Sequence, residues 1–417
     1  MRRWLPLLAA IPLTLNACGA PSAPPPTGVV RASDPRAPVG VPPADARTLA
    51  NSNAEFAGRL LALLAQSEPT VALSPYSISD TLAMTYAGAR GSTAAQIARA
   101  LHFMLPPDRL HAAFSALNQS LAALNAGTTK LRSAGALFGQ HGTAFRQAFL
   151  SILARHYGTG IRTVDFGASP DAARAAINGW VSQETDKKIA QLLSPADVTP
   201  LTRLVLTNAV YLNARWASPF TAQDTSPAPF HAPSGTVQVP TMHQTAGFLY
   251  ASHRGYRVLE LPYRDNRLAF DILLPGAGGL KPLLNHLSHS GPLPLLAGLE
   301  RQQVQLSLPR LLLRTRFELA EALGALGMPL AFVPGQADLS GIAEPPGKLS
   351  LQHVVHEAYV RVDEAGTEAA AATAAVAIAT AVPPQPAIAF DVDRPFVFVL
   401  RDTLTQAILF LGVVSQP

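Results

Sequence analysis

Hydrophobic and polar positions divide the chain into stretches of different period. An apolar run from Trp4 to Leu15 stands behind Met1-Arg2-Arg3. Further on, Leu49, Phe56, Leu60, Leu63 and Leu64 fall on one helical face, which predicts an amphipathic helix. Helical spacing also predicts helices over 77–87, 94–101, 110–124, 144–157 and 171–185, the last with Ile177, Trp180 and Val181 together. The pattern then changes. Residues 204–212 are almost continuously apolar and rich in β-branched side chains, as in a strand buried on both faces. Strands are expected over 257–261, 268–274, 304–308, 353–362, 396–400 and 407–414, with a helix over 318–326. Helices early and strands late, with little βαβ alternation, predict an α+β fold with antiparallel or mixed sheets.

The N-terminus reads as an address. A positive start, about a dozen apolar residues and a small residue at a break point describe a secretory signal peptide over 1–17. The run is too short for a spanning helix of about 20 residues. Leu15-Asn16-Ala17-Cys18 resembles the bacterial lipobox, which implies a lipid on Cys18 and a membrane as partner. The chain would then be exported and anchored to the cell envelope, periplasmic or at the cell surface. Ordinary cleavage near Ala17 or Ala20, with secretion, is the alternative. Gly19 to Pro43 holds eight prolines in 25 residues. Proline fixes φ and removes a donor, so 18–46 is expected to be an extended, semi-stiff tether and 47–417 the folded domain.

Composition removes several function classes. With 48% apolar and 14% charged residues, 417 residues hold a large core and are not a disordered chain. Length alone suggests two to three domains, yet no repeat or second Pro-rich break divides the body. One cysteine excludes an internal disulfide framework or thiolate metal cluster. The net charge of +5 comes from scattered Arg with only five Lys, so no basic stripe for nucleic acid is expected. No nucleophile elbow, Ser-x-x-Lys, phosphate-binding Gly-Lys-Ser/Thr or His-Glu-x-x-His occurs. His353, His356 and Glu357 are the nearest thing to a metal cluster. Residues three apart on a strand face opposite ways, so no metal site is expected.

One segment fits none of these readings. From Glu364 to Pro386 the chain is rich in Ala, which alone favours helix or a flexible loop. Yet apart from Glu368 it has no charge between Gly366 and Val382, and its first proline is Pro383. A surface linker has no reason to avoid both. A segment that must enter a central strand does. At period two Thr367, Ala369, Ala371, Thr373 and Ala375 share one face, all small.

These residues resemble the reactive-centre hinge of an inhibitory serpin, Gly366-Thr367-Glu368-Ala369-Ala370-Ala371-Ala372-Thr373. Ser74-Pro75-Tyr76-Ser77-Ile78, Gly88–Thr93 with Gln96-Ile97, and Thr207–Tyr211 followed by Trp216 match family motifs. So do Leu259–Tyr263, Leu326–Met328, Ala337–Ile342 and Arg394–Phe398, in the family's order over about 370 residues. The resemblance implies one large α+β domain with about three sheets, eight to nine helices and a reactive-centre loop at about 364–388. It implies a shutter at Ser74, Ser77, Asn208 and His356, a breach at Trp216, and an ion pair between Arg310 and Glu364. Glu357 and Ala365 stand where the family often has Lys and Glu. About four extra residues lie between Pro384 and Phe390.

Counting 17 residues from Glu364 puts the scissile bond between Thr380 and Ala381. Counting back from Pro395 disagrees by about four because of the insertion, and Ala379 and Val382 are neighbours in contention. No Lys or Arg lies between Arg361 and Arg394 and no aromatic between Tyr359 and Phe390, so the bait suits elastase-like or subtilisin-like proteases. The implied function is suicide inhibition of a target serine protease by a monomer, through a covalent acyl complex and insertion of the hinge as a new strand. The alternatives are a non-inhibitory serpin serving binding or storage, and an unrelated surface hydrolase. No cofactor is expected, and a heparin-like one is not supported: 110–125 carries only His111, with Arg109 just before it.

Overall fold

The computed structural model describes residues 28–38, 40–344, 349–367 and 386–417. Eight α-helices lie among them: α1 (Pro43–Leu64), α2 (Pro75–Gly88), α3 (Gly91–Ala100), α4 (Pro107–Ala122), α5 (Gln147–Ile152), α6 (Pro170–Glu184), α7 (Leu280–Ser290) and α8 (Ala320–Ala325). Proline opens α1, α2, α4 and α6, where its missing N–H costs no hydrogen bond. The predicted stripe of α1 is buried at Leu49, Phe56, Leu60 and Leu64, against α4, α7 and the strand Ile408–Val414. Leu63 is only partly buried.

The large sheet has eight strands. Its order is Gly28–Val30, Ile161–Val164, Ala136–Gln140, Leu204–Arg215, Gly366–Thr367, His353–Asp363 and Leu311–Glu318, with Lys130–Ser133 also on Leu204–Arg215. The strands Leu204–Arg215 and His353–Asp363 run parallel and pair from Val205 with His353 to Tyr211 with Tyr359. Beyond Tyr211 and Tyr359 they part. Gly366–Thr367 lies between them there, antiparallel to both. A nine-stranded sheet and a two-stranded pair, Ala144–Phe145 with Ala343–Glu344, complete the fold. The main core includes Phe56, Phe114, Trp216, Phe270 and Phe398. A smaller core beneath α6 joins Ile177 and Val181 to Phe138, Val205, Ala209 and Val355 on the outer face of the large sheet.

Several expectations need correction. Of the tether drawn over 18–46, the described part belongs to the fold instead, because Gly28–Val30 pairs with Ile161–Val164 and α1 starts at Pro43; residues 18–27 lie outside the described residues. Between them, Ala32 is buried, the Ala37 N–H donates to Arg155 O and the Gln119 side chain donates to Ala37 O. Proline makes such backbone extended, and extended backbone suits a sheet edge, where a missing ladder donor is harmless. Strands also occur early, at Val71–Leu73, Lys130–Ser133, Ala136–Gln140 and Ile161–Val164. The helix expected over 144–157 begins at Gln147 and ends in a π-helical turn, Leu153–Tyr157. Strand Gly235–His253 and helix α7 gave no sequence signal, since each buries few residues.

Candidate functional site: the seam of the large sheet

The seam is the line along which Leu204–Arg215 meets His353–Asp363. Its upper end holds Gly366 and Thr367. A Cβ on Gly366 would stand 2.1 Å from the Ala214 carbonyl oxygen, so only glycine allows this approach. Thr367 is buried, its Oγ1 hydrogen-bonded to the Tyr263 hydroxyl at 2.5 Å. Burial pushes the Tyr263 phenol well up, so it stays neutral. Trp216 stacks on Tyr263 with centroids 4.6 Å apart, and its Nε1 donates to Asp363 O at 2.9 Å. Arg310 donates through Nε (2.8 Å) and Nη2 (2.5 Å) to Glu364 Oε1, which also accepts from Thr225 Oγ1. Burial raises the Glu364 carboxyl, but the Arg310 and Thr225 hydrogen bonds outweigh it and hold the group below its ordinary range.

The lower end is closed by side chains crossing the seam. Ser74 N–H donates to His356 Nε2 at 3.1 Å, which puts the ring proton on Nδ1, 2.7 Å from Asn208 Oδ1. Asn208 Nδ2 donates to Ser77 Oγ at 2.7 Å and Thr81 Oγ1 at 2.8 Å. Thr81 donates in turn to Ser77 O, and Ser77 Oγ reaches Ser133 Oγ at 3.0 Å. Ser74 Oγ caps α2 by accepting from Ser77 N–H. His356 and Asn208 are wholly buried and opposite each other in register. Burial pushes the His356 pKa down to about 3, so the ring is neutral.

The structure thus gathers Ser74, Ser77, Asn208 and His356 at one end of the seam, and Trp216, Arg310, Glu364, Gly366 and Thr367 at the other. Glu357 instead pairs with Arg314 on Leu311–Glu318 at 2.6 Å. Tyr263 entered the sequence reading only as the end of a family motif, with no role, and Thr81, Ser133 and Thr225 were not singled out. Thr81 had a usable signal, one helical turn after Ser77; the others depend on long-range pairing. Cys18, Glu368, Ala369–Ala372, Thr380 and Ala381 lie outside the described residues. Among the described residues no group of three His, Cys, Asp or Glu could hold a metal ion, and no helix is long and apolar enough to cross a membrane.

A family profile described as serpin (serine protease inhibitor) matches residues 51–417. An uncharacterized serpin-like protein of Thermococcus kodakarensis is 39% identical over 375 residues, covering 89% of this chain and 86% of that protein. Leukocyte elastase inhibitor A of Rattus norvegicus is 37% identical over 381 residues, 88% of this chain and 99% of its own length. Among solved structures, Serpin48 of the insect Tenebrio molitor is similar with a TM-score of 0.78 and 30% identity, covering 89% of this chain and 98% of that one. The thermophilic serpin Tengpin in its native state gives a TM-score of 0.83 at 25% identity, over 94% and 100%. A matched profile over most of the chain, a shared fold, and a large sheet with a hinge segment entering its seam lead to one conclusion: this chain belongs to the serpin family, the serine protease inhibitors.

Proposed function

We propose that the chain is a suicide inhibitor of serine proteases with elastase-like or subtilisin-like specificity, cleaved between Thr380 and Ala381. The observation that carries this reading is the two-residue strand Gly366–Thr367, already paired on both sides in the opened top of the seam. Continued one residue at a time, its register would bring Ala370 between Tyr211 and Tyr359, and Thr373 between Asn208 and His356. Thr373 would share the inner face with Thr367, because six residues separate them. Entry of a strand there breaks the Asn208–His356 hydrogen bond, and a threonine hydroxyl is the one polar group among the alanines that could replace it. On this reading Ser74, Ser77, Asn208 and His356 act as the shutter, and Trp216, Arg310 and Glu364 as the breach.

The energetics are adequate. Protease attack at Thr380 forms an acyl-enzyme and frees the hinge side of the loop. About 13 new ladder hydrogen bonds at ~1 kcal/mol net would supply on the order of ten kcal/mol, comparable to a protease's own stability. A strand of about 15 residues spans roughly 50 Å, enough to carry the protease from one pole to the other. Export and lipidation at Cys18 belong to the same proposal, supported by the residues around it. Ten peptide units separate Cys18 from Gly28, so a lipid on Cys18 would hold Gly28 within ~35 Å of the membrane.

The test is to incubate the mature protein with elastase-like and subtilisin-like proteases and run SDS gels. A complex that survives SDS is expected, with the protease joined to Thr380. Clean loop cleavage without a complex would leave a non-inhibitory serpin and overturn the inhibitor reading.

A further inference from the structure

The turn that follows α6 carries a cation back over the seam. Thr185 folds the chain there: its Oγ1 donates to Val181 O and accepts from Ile189 N–H. Asp186 and Lys187 then take φ values of 49° and 63°. Two consecutive left-handed residues, neither of them glycine, persist only where the surroundings enforce them, and such backbone gathers at sites where the conformation is used. The result is the placement of Lys188. Its Nζ lies 5.9 Å from the Tyr211 ring centroid and 6.0 Å from the Tyr359 centroid. The two rings are 6.3 Å apart.

Tyr211 and Tyr359 are the last residues at which the two strands still touch. They sit three register positions from Thr367, on the face covered by α6. The segment after α6 is tied on both sides of the seam, since Arg316 on Leu311–Glu318 donates to Leu192 O at 2.6 Å and pairs with Asp197. Asp186 lies 3.6 Å from Arg132, the register partner of Tyr211 on Lys130–Ser133, and Ile189, Leu192 and Leu193 are buried beside α6. Lys188 stands between these two anchors, with one ring from each strand of the seam about equally near its ammonium.

We infer that Lys188 is a latch on the seam, a positioning residue whose ammonium bridges Tyr211 and Tyr359 and sets the rate at which the sheet admits residues beyond Thr367. This rests on the insertion reading above and names the first obstacle along its path. A new strand parts its neighbours by about 4.8 Å. Ala370 then fills the space between the rings, and the ammonium keeps one ring at most. The bridge exists in the closed state and is lost in the open one, which is the differential interaction a latch requires. Alanine at 370 is small enough to pass beneath Lys188.

The experiment adds a synthetic peptide copying residues 366–378 to the full mature protein without protease. The rate of annealing is read from native gels, and thermal unfolding is recorded for each variant as a check on folding. Lys188→Met keeps the apolar stem and removes the charge; it should anneal about three- to tenfold faster, the range that a partly exposed cation over two rings supports. Lys188→Arg and Tyr359→Phe preserve cation and ring and should anneal like the parent. Annealing of K188M within twofold of the parent, or K188R behaving like K188M, overturns the latch. Absence of annealing in the parent and K188M alike overturns latch and insertion reading together. If the parent forms no SDS-stable protease complex while K188M still accelerates annealing, the inhibitor reading fails and the latch stands.

Discussion

The two ends of the seam are made by the same pair of strands, yet one is open and the other shut. At the Asp363 end a glycine and a threonine already separate them, and Tyr263, Trp216 and the Arg310–Glu364 pair hold that wedge in place. At the His356 end no strand intervenes, and the Asn208–His356 hydrogen bond crosses the seam directly. Both ends are buried, so burial does not make the difference. The upper contacts are compatible with a strand between the two partners, whereas the lower ones must break before a strand can enter. On the proposed insertion mechanism, Gly366–Thr367 is the nucleus and the resistance to propagation lies below Thr367.

The most severe way to break this contrast is to block the wedge. Thr367→Arg puts a charge where 1% of the residue is exposed and removes the bond to Tyr263. Inhibition should be lost, with the variant cleaved as a substrate and complex yield on SDS gels down by at least about tenfold. Unchanged inhibition by this variant would sink insertion as the mechanism.

Next comes the lower end. Asn208→Ala leaves His356 Nδ1, Ser77 and Thr81 without their partner and should lower stability by ~2–4 kcal/mol, read as a lower urea midpoint. The same variant should take up the 366–378 peptide faster. A loss under ~1 kcal/mol would mean that the cluster does not hold the sheet shut.

Acid should separate the two ends. His356 is held neutral by burial, its pKa falling from 6.5 to about 3, so the closed state binds that proton more weakly than the unfolded chain does. Its contribution is complete above about pH 6.5 and is lost as pH falls toward 3, amounting to about 2 kcal/mol between pH 7 and pH 5. Against its burial, Glu364 is also shifted down, held ionised by Arg310 and Thr225: it contributes above the ordinary carboxylate range and is lost only as pH falls through its lowered pKa, below where His356 begins to lose its own. Where opening the seam brings His356 toward water, peptide annealing should be faster at pH 5 than at pH 7 while the upper pair stays ionised. His356→Gln should remove that acceleration.

The smallest effect belongs to the upper pair. Arg310 is 44% exposed at its side chain, so screening limits the pair, and Glu364→Gln should cost no more than ~1 kcal/mol. A larger loss would mean that the wedge depends on this ion pair more than on Tyr263 and Trp216.

The seam residues were named through the family resemblance; the pattern alone reads Asn208 and His356 as polar residues inside apolar runs, which fixes their burial but not their partners. Asn208 interrupts Leu204–Leu212 and His356 interrupts Val354–Val362, and a polar side chain in a strand buried on both faces needs a partner. The small, uncharged residues after Gly366 suggested a segment able to enter a strand, and of these Thr367, the one among the described residues, is paired in the sheet. Tyr263 and Thr225 were hidden because their partners lie 104 and 139 residues away in sequence, and no local period encodes such pairing. Lys188 was hidden for a different reason. Its position depends on two left-handed residues, Asp186 and Lys187, whose side chains give no hint of that backbone. The edge strand Gly28–Val30 was missed because a proline-rich composition dictates extended backbone but not what it pairs with.

The central claim is that the sheet has room for the rest of its hinge and gains by accepting it. The direct measurement is the unfolding of the protein after its loop has been cut by a protease that forms no lasting complex, compared with the uncut protein in urea. Insertion adds on the order of ten kcal/mol, so the cut chain should unfold at a far higher urea concentration than the intact one. A cut chain with an unchanged or lower midpoint would be a nicked surface loop and nothing more, and would contradict the account.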